Sequence, residues 1–396
     1  MKGIKRAISI FVFGCIMMQA SAQSDSCKLR ISLLTCSPGS ELYSVFGHSA
    51  LRIIDSAVGT DIVYNFGTFN FGDPDFYSKF VMGRLMYYVN QESFSSFKAE
   101  YEYDRRGIIE QVLSFNCAEK KSIQEKLFIN VREENKYYKY DFLKDNCTTR
   151  LRDIIFGVRN QQAYRALFAT KTNSSYRDYL HVYLDKANMD WTKLGIDLLI
   201  GLDGEQIMNS NEAMYLPDYL MKGVSASEGR GIKLVLAENN LLPDLQSKST
   251  ENPFIQTPLF FFLLLFVFYI VIGNLKSVRF EKIKRILDVF LFSLTGLLGF
   301  ILLFMWLGTD HMSFRHNVNL IWAMPLNVVA VFFLGDKNAK FKKYFFYYSI
   351  LTLFIIPLIF ILPEAINPAL YPLIILLSYR SWIIGRNDKK TLKQSV

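Results

Sequence analysis

The feature that most constrains this chain is a change of texture at Pro258. Upstream, polar and apolar residues mix at short periods, whereas downstream, blocks of Phe, Leu and Ile alternate with short basic segments. The blocks cover about 258–275, 286–307, 318–334, 344–362 and 366–384. Each is near the roughly 20 residues that a helix needs to cross a bilayer. The pattern predicts an all-α membrane domain of five transmembrane helices behind a globular domain.

Loop charge orients these spans. Segments 274–285, 335–343 and 385–396 carry five, four and four Lys/Arg, against one in 308–317 and none in 363–365. By the positive-inside rule the first group and the C-terminus are cytoplasmic, and the globular domain lies outside. The N-terminus agrees. Lys2, Lys5 and Arg6 precede an apolar run, Ala7 to Met18, and an Ala20-Ser21-Ala22 site, which reads as a signal peptide over 1–22. A retained anchor and a lipoprotein signal at Cys15 are the competing readings. The expected order is a signal peptide, a periplasmic domain over 23–236, a polar linker over 237–257 and a membrane domain over 258–396. The net charge of +9 is accounted for by 274–396, with 15 Lys and Arg against 6 Asp and Glu. Nothing basic in the globular part asks for nucleic acid.

Cys27, Cys36, Cys117 and Cys147 remain after cleavage, in a compartment that permits disulfides. Their pairing stays open.

Chemistry concentrates at two places. His48, in "SPGSELYSVFGHSALRIID", heads a strand-like run, and "TDIVYNFGTF" follows across a short loop containing Gly59, as in a hairpin. Centring that loop near Ala57 and Val58 sets His48 roughly opposite 65–67, where Asn65 is the polar residue able to hold an imidazole. Cys147 lies in "YDFLKDNCTTRLRDIIF", after the N-cap types Asp145 and Asn146 and before a helical face of Leu151, Ile154 and Ile155. A thiol in a first helical turn meets the positive end of the dipole and free amides, which favour thiolate and can hold an oxyanion. Thiolate, histidine and a side-chain amide make a nucleophile, base and orienter. An inert buried cysteine and a structural histidine are the bland alternatives.

The stretches "YSVFGHSALRI", "YNFGTFNF" and "KYDFLKDNCTTRLRDI", in that order, resemble the periplasmic domain of the Lnb family, lipoprotein N-acyltransferases of Bacteroidetes. "TDHMSFRHNVNLIWAMP", residues 309–325, is similar to that family's second motif. The resemblance implies an α+β domain like a circularly permuted papain or NlpC/P60 fold, with the histidine strand ahead of the cysteine helix. It implies Cys147 as nucleophile and His48 as base. Asn65 as orienter comes from the hairpin register; Glu41, Tyr43 and Tyr64 are the alternatives for that role and, with Asn146, the expected substrate contacts.

The implied reaction moves a fatty acyl chain from a phospholipid, through a Cys147 thioester, to the α-amine of a diacylglyceryl-cysteine lipoprotein. It needs no cofactor or metal, and it places the enzyme in the inner membrane with its catalytic domain in the periplasm. A membrane-tethered cysteine peptidase, amidase or lipid hydrolase, or an inactive lipid-binding scaffold, would use the same sequence. In the outer loop, Asp310, His311, Asn317 and Asn319 are expected to bind headgroup or substrate, with solvation and a metal site as the lesser readings. His181 reads as structural. The helical segment 161–237 offers no chemistry.

Overall fold

The computed structural model describes residues 27–158, 165–166, 173–229, 231–246, 252–275, 277–334, 339–358 and 366–386. The expected signal peptide lies outside them.

The first half is a sheet covered by helices. Its strands are β1 (Leu29–Cys36), β2 (His48–Asp55), β3 (Thr60–Thr68), β4 (Met86–Ser93), β5 (Ile108–Leu113) and β6 (Tyr137–Lys139). Between them come α1 (Phe76–Val81), α2 (Phe94–Tyr103) and α3 (Cys117–Asn130), and after them α4 (Cys147–Gly157). Short strands β7 (Arg165–Ala166), β8 (Ser227–Gly229) and β9 (Ile232–Lys233) form a small separate sheet. Helices α5 (Tyr176–Lys186), α6 (Asp190–Leu199), α7 (Ser210–Ala213) and α8 (Pro217–Ser225) fill the interval, and β10 (Val235–Leu242) closes the domain.

The main sheet has the order β10-β5-β1-β2-β3-β4-β6, and each pairing in it is antiparallel. β1, "LRISLLTC", is buried along nearly its whole length because it lies between β5 and β2 with helices on both faces. On one face α3, α4 and α8 pack through Ile123, Leu127, Leu151, Ile155, Leu220 and Val224. On the other face α2 brings Phe97 and Tyr101 against Leu34, Ala50 and Val63. β10 is an exposed edge strand whose Glu238 accepts from Gln111 and whose Asn239 donates to Glu110 on β5, and a charged, amide-rich edge of this kind discourages further pairing. The linker expected from 237 therefore starts as sheet. "VLAENNLL" looked polar because an edge strand buries little, and its ladder to β5 could not be read from composition.

Cys27 and Cys117 form a disulfide that ties the chain before β1 to the start of α3, while Cys36 and Cys147 stay free and buried.

The second half is helical: α9 (Pro258–Asn274), α10 (Val278–Leu307), α11 (Leu326–Ala330), α12 (Ala339–Leu358) and α13 (Tyr371–Arg386). Three segments among the described residues are long and apolar enough to cross a membrane, Val278–Leu307, Met312–Phe333 and Pro368–Arg386; Pro258–Asn274 is apolar but shorter. The span expected at 318–334 is not one α-helix. It is a series of 3-10 turns around the short α11, broken near Pro325. It lies against α10 at a notch of small residues: a Cβ on Gly299 would stand 1.9 Å from the Ala323 carbonyl oxygen. Glycine there permits the close approach of the two backbones. Its polar residues are also satisfied within the protein, since Asn327 donates to the Tyr348 hydroxyl at 3.0 Å and accepts from Tyr344 at 2.7 Å. Asp288 on α10 and Arg380 on α13 make a buried two-pronged pair, both bonds 2.7 Å, as an ionised group at such depth requires.

Candidate active site

α4 begins at Cys147 because Asn146 caps it. The Asn146 side-chain oxygen accepts from the Thr148 and Thr149 amides at 2.8 and 2.9 Å, and the Thr149 hydroxyl oxygen accepts from the Asn146 amide. Its NH2 donates to the carbonyls of Phe142 and Tyr215 at 2.8 and 3.0 Å. Four bonds fill an amide side chain, so the expected substrate contact by Asn146 is corrected to a structural cap. The cap takes the Thr148 and Thr149 amides of the first turn.

α4 packs on β2 and β3, which carry the other groups. The hairpin pairs Leu51 with Tyr64 and Asp55 with Thr60. His48 Nε2 lies 2.5 Å from Asn65 Oδ1, which holds the ring where its charge acts on the Cys147 thiol. Glu92 on β4, paired with Val63 across the ladder, lies near enough for the Asn65 side chain to act on its carboxyl. The result is a line from Cys147 through His48 and Asn65 to Glu92. Burial raises Glu92's carboxyl above its usual range despite the bond to Asn65.

Burial alone would push the Cys147 thiol up, but the charge of His48, the hydrogen bonds from His48 and Thr148, and the Ser49 amide together hold it below the ordinary thiol value. Burial would likewise lower His48, yet the charge and hydrogen bond of Cys147 and the bond to Asn65 leave it above its ordinary value. The two shifts favour a thiolate–imidazolium pair. Cys36 lies opposite His48 across β1 and β2 but has the contrary environment: burial pushes its thiol up to about 12. Iodoacetamide should therefore alkylate Cys147 with a pH midpoint below the ordinary thiol range and leave Cys36 untouched, as peptide mass spectrometry would read. In His48→Ala the midpoint should move up, because burial is then opposed by less; an unmoved midpoint would separate the histidine from the thiolate.

Of the other expected contacts, Tyr64 is 2% exposed, in the core on the face of β3 away from Asn65, and burial lifts its phenol to about 12. Glu41 and Tyr43 lie exposed in the turn before β2. These three are not the group that holds His48. The sequence reading missed Glu92, Ser49 and Gly67. Only Gly67 left a signal, in "YNFGTF": it has φ +86°, and a Cβ there would stand 3.4 Å from Cys147 Cβ. A larger residue would strain the backbone and crowd the thiol.

The outer loop docks the two halves. Asn317 donates to the carbonyls of Leu198 and Leu199 at 2.7 and 3.1 Å, and Asn319 to that of Asp197 at 3.1 Å. Their oxygens accept from the Asn319 amide and the Trp322 indole. The substrate role expected of Asn317 and Asn319 is thus corrected to docking, since both side chains are buried and occupied. Asp310 accepts from Lys139 at 2.9 Å, which with Arg84 holds its carboxyl below the usual range. The His311 ring contacts the Phe80 carbonyl oxygen at 3.0 Å. Among the described residues no group of three or more His, Cys, Asp or Glu could hold a metal. His181 bonds Asp197, which also receives Arg177 and Asn367.

Two family models match this chain. That of the Lnb N-terminal periplasmic domain covers residues 17–183, and that of the Lnb transmembrane domain covers 249–391. The chain belongs to the Lnb family. Neither a curated protein nor a solved structure matches it. In this Lnb-family chain the first matched region contains His48, Asn65, Glu92 and Cys147, and the second contains the docking loop. It is a membrane protein with a periplasmic domain of sheet and helices and a helical membrane region.

Proposed function

We propose that this protein is a lipoprotein N-acyltransferase that works through an acyl-thioester on Cys147. The observation that carries the reading is the buried pairing of Cys147 with His48, aligned by Asn65, in a domain held on the outer loop of a membrane region. The thiolate sulfur attacks the ester carbonyl of a phospholipid, and the oxyanion meets the Cys147 amide. As the C–O bond breaks, the lysophospholipid alkoxide takes the proton of the His48 imidazolium. The α-amine of a diacylglyceryl-cysteine lipoprotein then attacks the thioester, His48 takes the amine's proton, and the thiolate leaves. A thioester reacts with an amine more readily than the starting ester does, so one hard step becomes two easier ones.

The architecture that goes with this reading has five spans, α9 and α12 joining the three longer segments, in the inner membrane with the C-terminus cytoplasmic. It also treats the domain as a permuted papain or NlpC/P60 fold, in which the histidine strand precedes the cysteine helix. A peptidase or amidase would share the dyad, but the partly buried tyrosine rings beside Cys147 suit an acyl chain better than a peptide backbone. Trapping decides between them. Purified full-length protein mixed with phospholipid and no acceptor should gain one acyl mass on Cys147; a peptide adduct, or no adduct while lysolipid accumulates, would sink the transferase reading.

A further inference from the structure

A line of touching aromatic rings leads away from the thiol. Tyr138 and Tyr140 lie beside Cys147, Tyr140 stacks on Tyr87 at 4.4 Å, and Tyr87 meets Phe69 at 5.3 Å. Phe69 continues to Phe71 and Phe76 at 4.7 and 5.8 Å, and Phe76 stacks on Phe80 at 6.2 Å. The rings thus run unbroken from the buried site to α1. There the apolar side chains turn outward: Phe71 is 64% exposed, Tyr77 79%, Phe80 51% and Val81 45%. A soluble domain rarely leaves so many neighbouring large apolar groups bare.

The position of α1 says what covers them. Helix α10 ends at Leu307, and the residues just past it hold α1: the Asp310 amide donates to the Met82 carbonyl at 2.8 Å, and His311 meets the carbonyl of Phe80. A segment hydrogen-bonded to the outer end of a span sits at the depth of the lipid interface. Beside it Arg84 and Lys139 meet Asp310 at 3.5 and 2.9 Å, and Lys79 meets Asp73 and Asp75 at 2.7 and 4.0 Å, so the exposed rings are edged by charged groups of both signs, suited to the headgroup layer. Aromatic groups on one side and a strongly charged rim on the other are the chemistry of a segment that lies in a membrane surface.

We infer that α1 and the loop before it dip into the outer leaflet, with Phe71, Tyr77 and Phe80 among the acyl chains, and that the aromatic line guides a chain from there to Cys147. The guiding role rests on the transferase reading; the membrane contact does not. Charge on this face should expel it from the lipid.

The test reconstitutes the full chain in phosphatidylethanolamine and phosphatidylglycerol vesicles containing a phospholipid with a diazirine near the acyl terminus. After illumination, mass spectrometry should find adducts on residues 69–84 as well as on the spans, and equally so in Cys147→Ala. The Tyr77→Asp, Phe80→Asp double variant should lose those adducts about tenfold, while iodoacetamide still alkylates its Cys147, which shows the domain folded. Adducts confined to 258–386 would overturn the inference even if an acyl-enzyme forms. Adducts on 69–84 without any acyl-enzyme would uphold it and remove the transferase reading instead.

Discussion

Replacing Cys147 by alanine should erase lipoprotein N-acylation while the protein still reaches the membrane in normal amount. The alanine loses the attacking atom but keeps the Asn146 cap, the helix and the core around Leu151 and Ile155. Loss of a nucleophile costs on the order of 10⁴-fold or more in rate, because the oxyanion donor and binding alone cannot replace it. Mass spectrometry of lipoprotein N-terminal peptides reads the result directly: diacylated peptides should accumulate and triacylated ones disappear. Unchanged triacylated peptides would remove Cys147 from the chemistry. The rate should also depend on pH in a defined direction. The working pair forms as pH rises past the lowered value of Cys147 and is lost as it rises past the raised value of His48, since the leaving alkoxide then has no proton to take.

Asp197→Ala should be the most damaging substitution far from the thiol. Asp197 is 1% exposed and collects Arg177 at 2.7 Å, His181 at 2.8 Å and Asn367 at 2.7 Å, while its carbonyl accepts from Asn319. Alanine would leave the buried Arg177 guanidinium with Glu205 and the Ile200 carbonyl but without its second carboxylate, and would take the acceptor from His181 and Asn367, a loss of roughly 3 kcal/mol. It would also cut the link between α6 and the membrane region. A fall in the melting temperature of the purified full-length protein, together with new protease cuts in 173–246, would report both effects. Asp197→Asn, which keeps the shape and some hydrogen bonds, should lose less. If the alanine variant melts like the parent, this cluster is not what holds the two halves together. The charge also sets a pH limit. Burial would raise the Asp197 carboxyl, but the bonds and charge of His181 and Arg177 hold it below its usual range. Its contribution is therefore present above the unfolded carboxylate value and lost as pH falls through the depressed one.

Much of this could be read in the residues, for local reasons. Asn146 and Cys147 announce a helix start because capping is a property of adjacent residues. The β2–β3 hairpin follows from alternation and a short loop, so His48 and Asn65 could be placed near each other before any coordinates. Glu92 could not, because it reaches Asn65 from β4, and the order of β3 and β4 in a sheet is not written in either strand. The outer loop failed for the opposite reason. Asn317 and Asn319 carry polar groups in an apolar neighbourhood, a pattern shared by ligand sites and buried docking contacts, and only their partners distinguish the two.

The sequence by itself determined the division into a globular and a membrane part, the chemical types at the reacting centre and the helix that presents the thiol. Those rest on composition and on neighbours within a few residues. The tertiary structure decided what surrounds that thiol and keeps the other one inert. Cys36, opposite His48 in the sheet, and Cys147, at the start of α4, are both buried, yet only Cys147 has the imidazole, the threonine hydroxyl and the Ser49 amide acting on its sulfur. It also decided where the aromatic residues of α1 emerge, at the end of α10, because that contact joins positions more than two hundred residues apart that no local pattern relates.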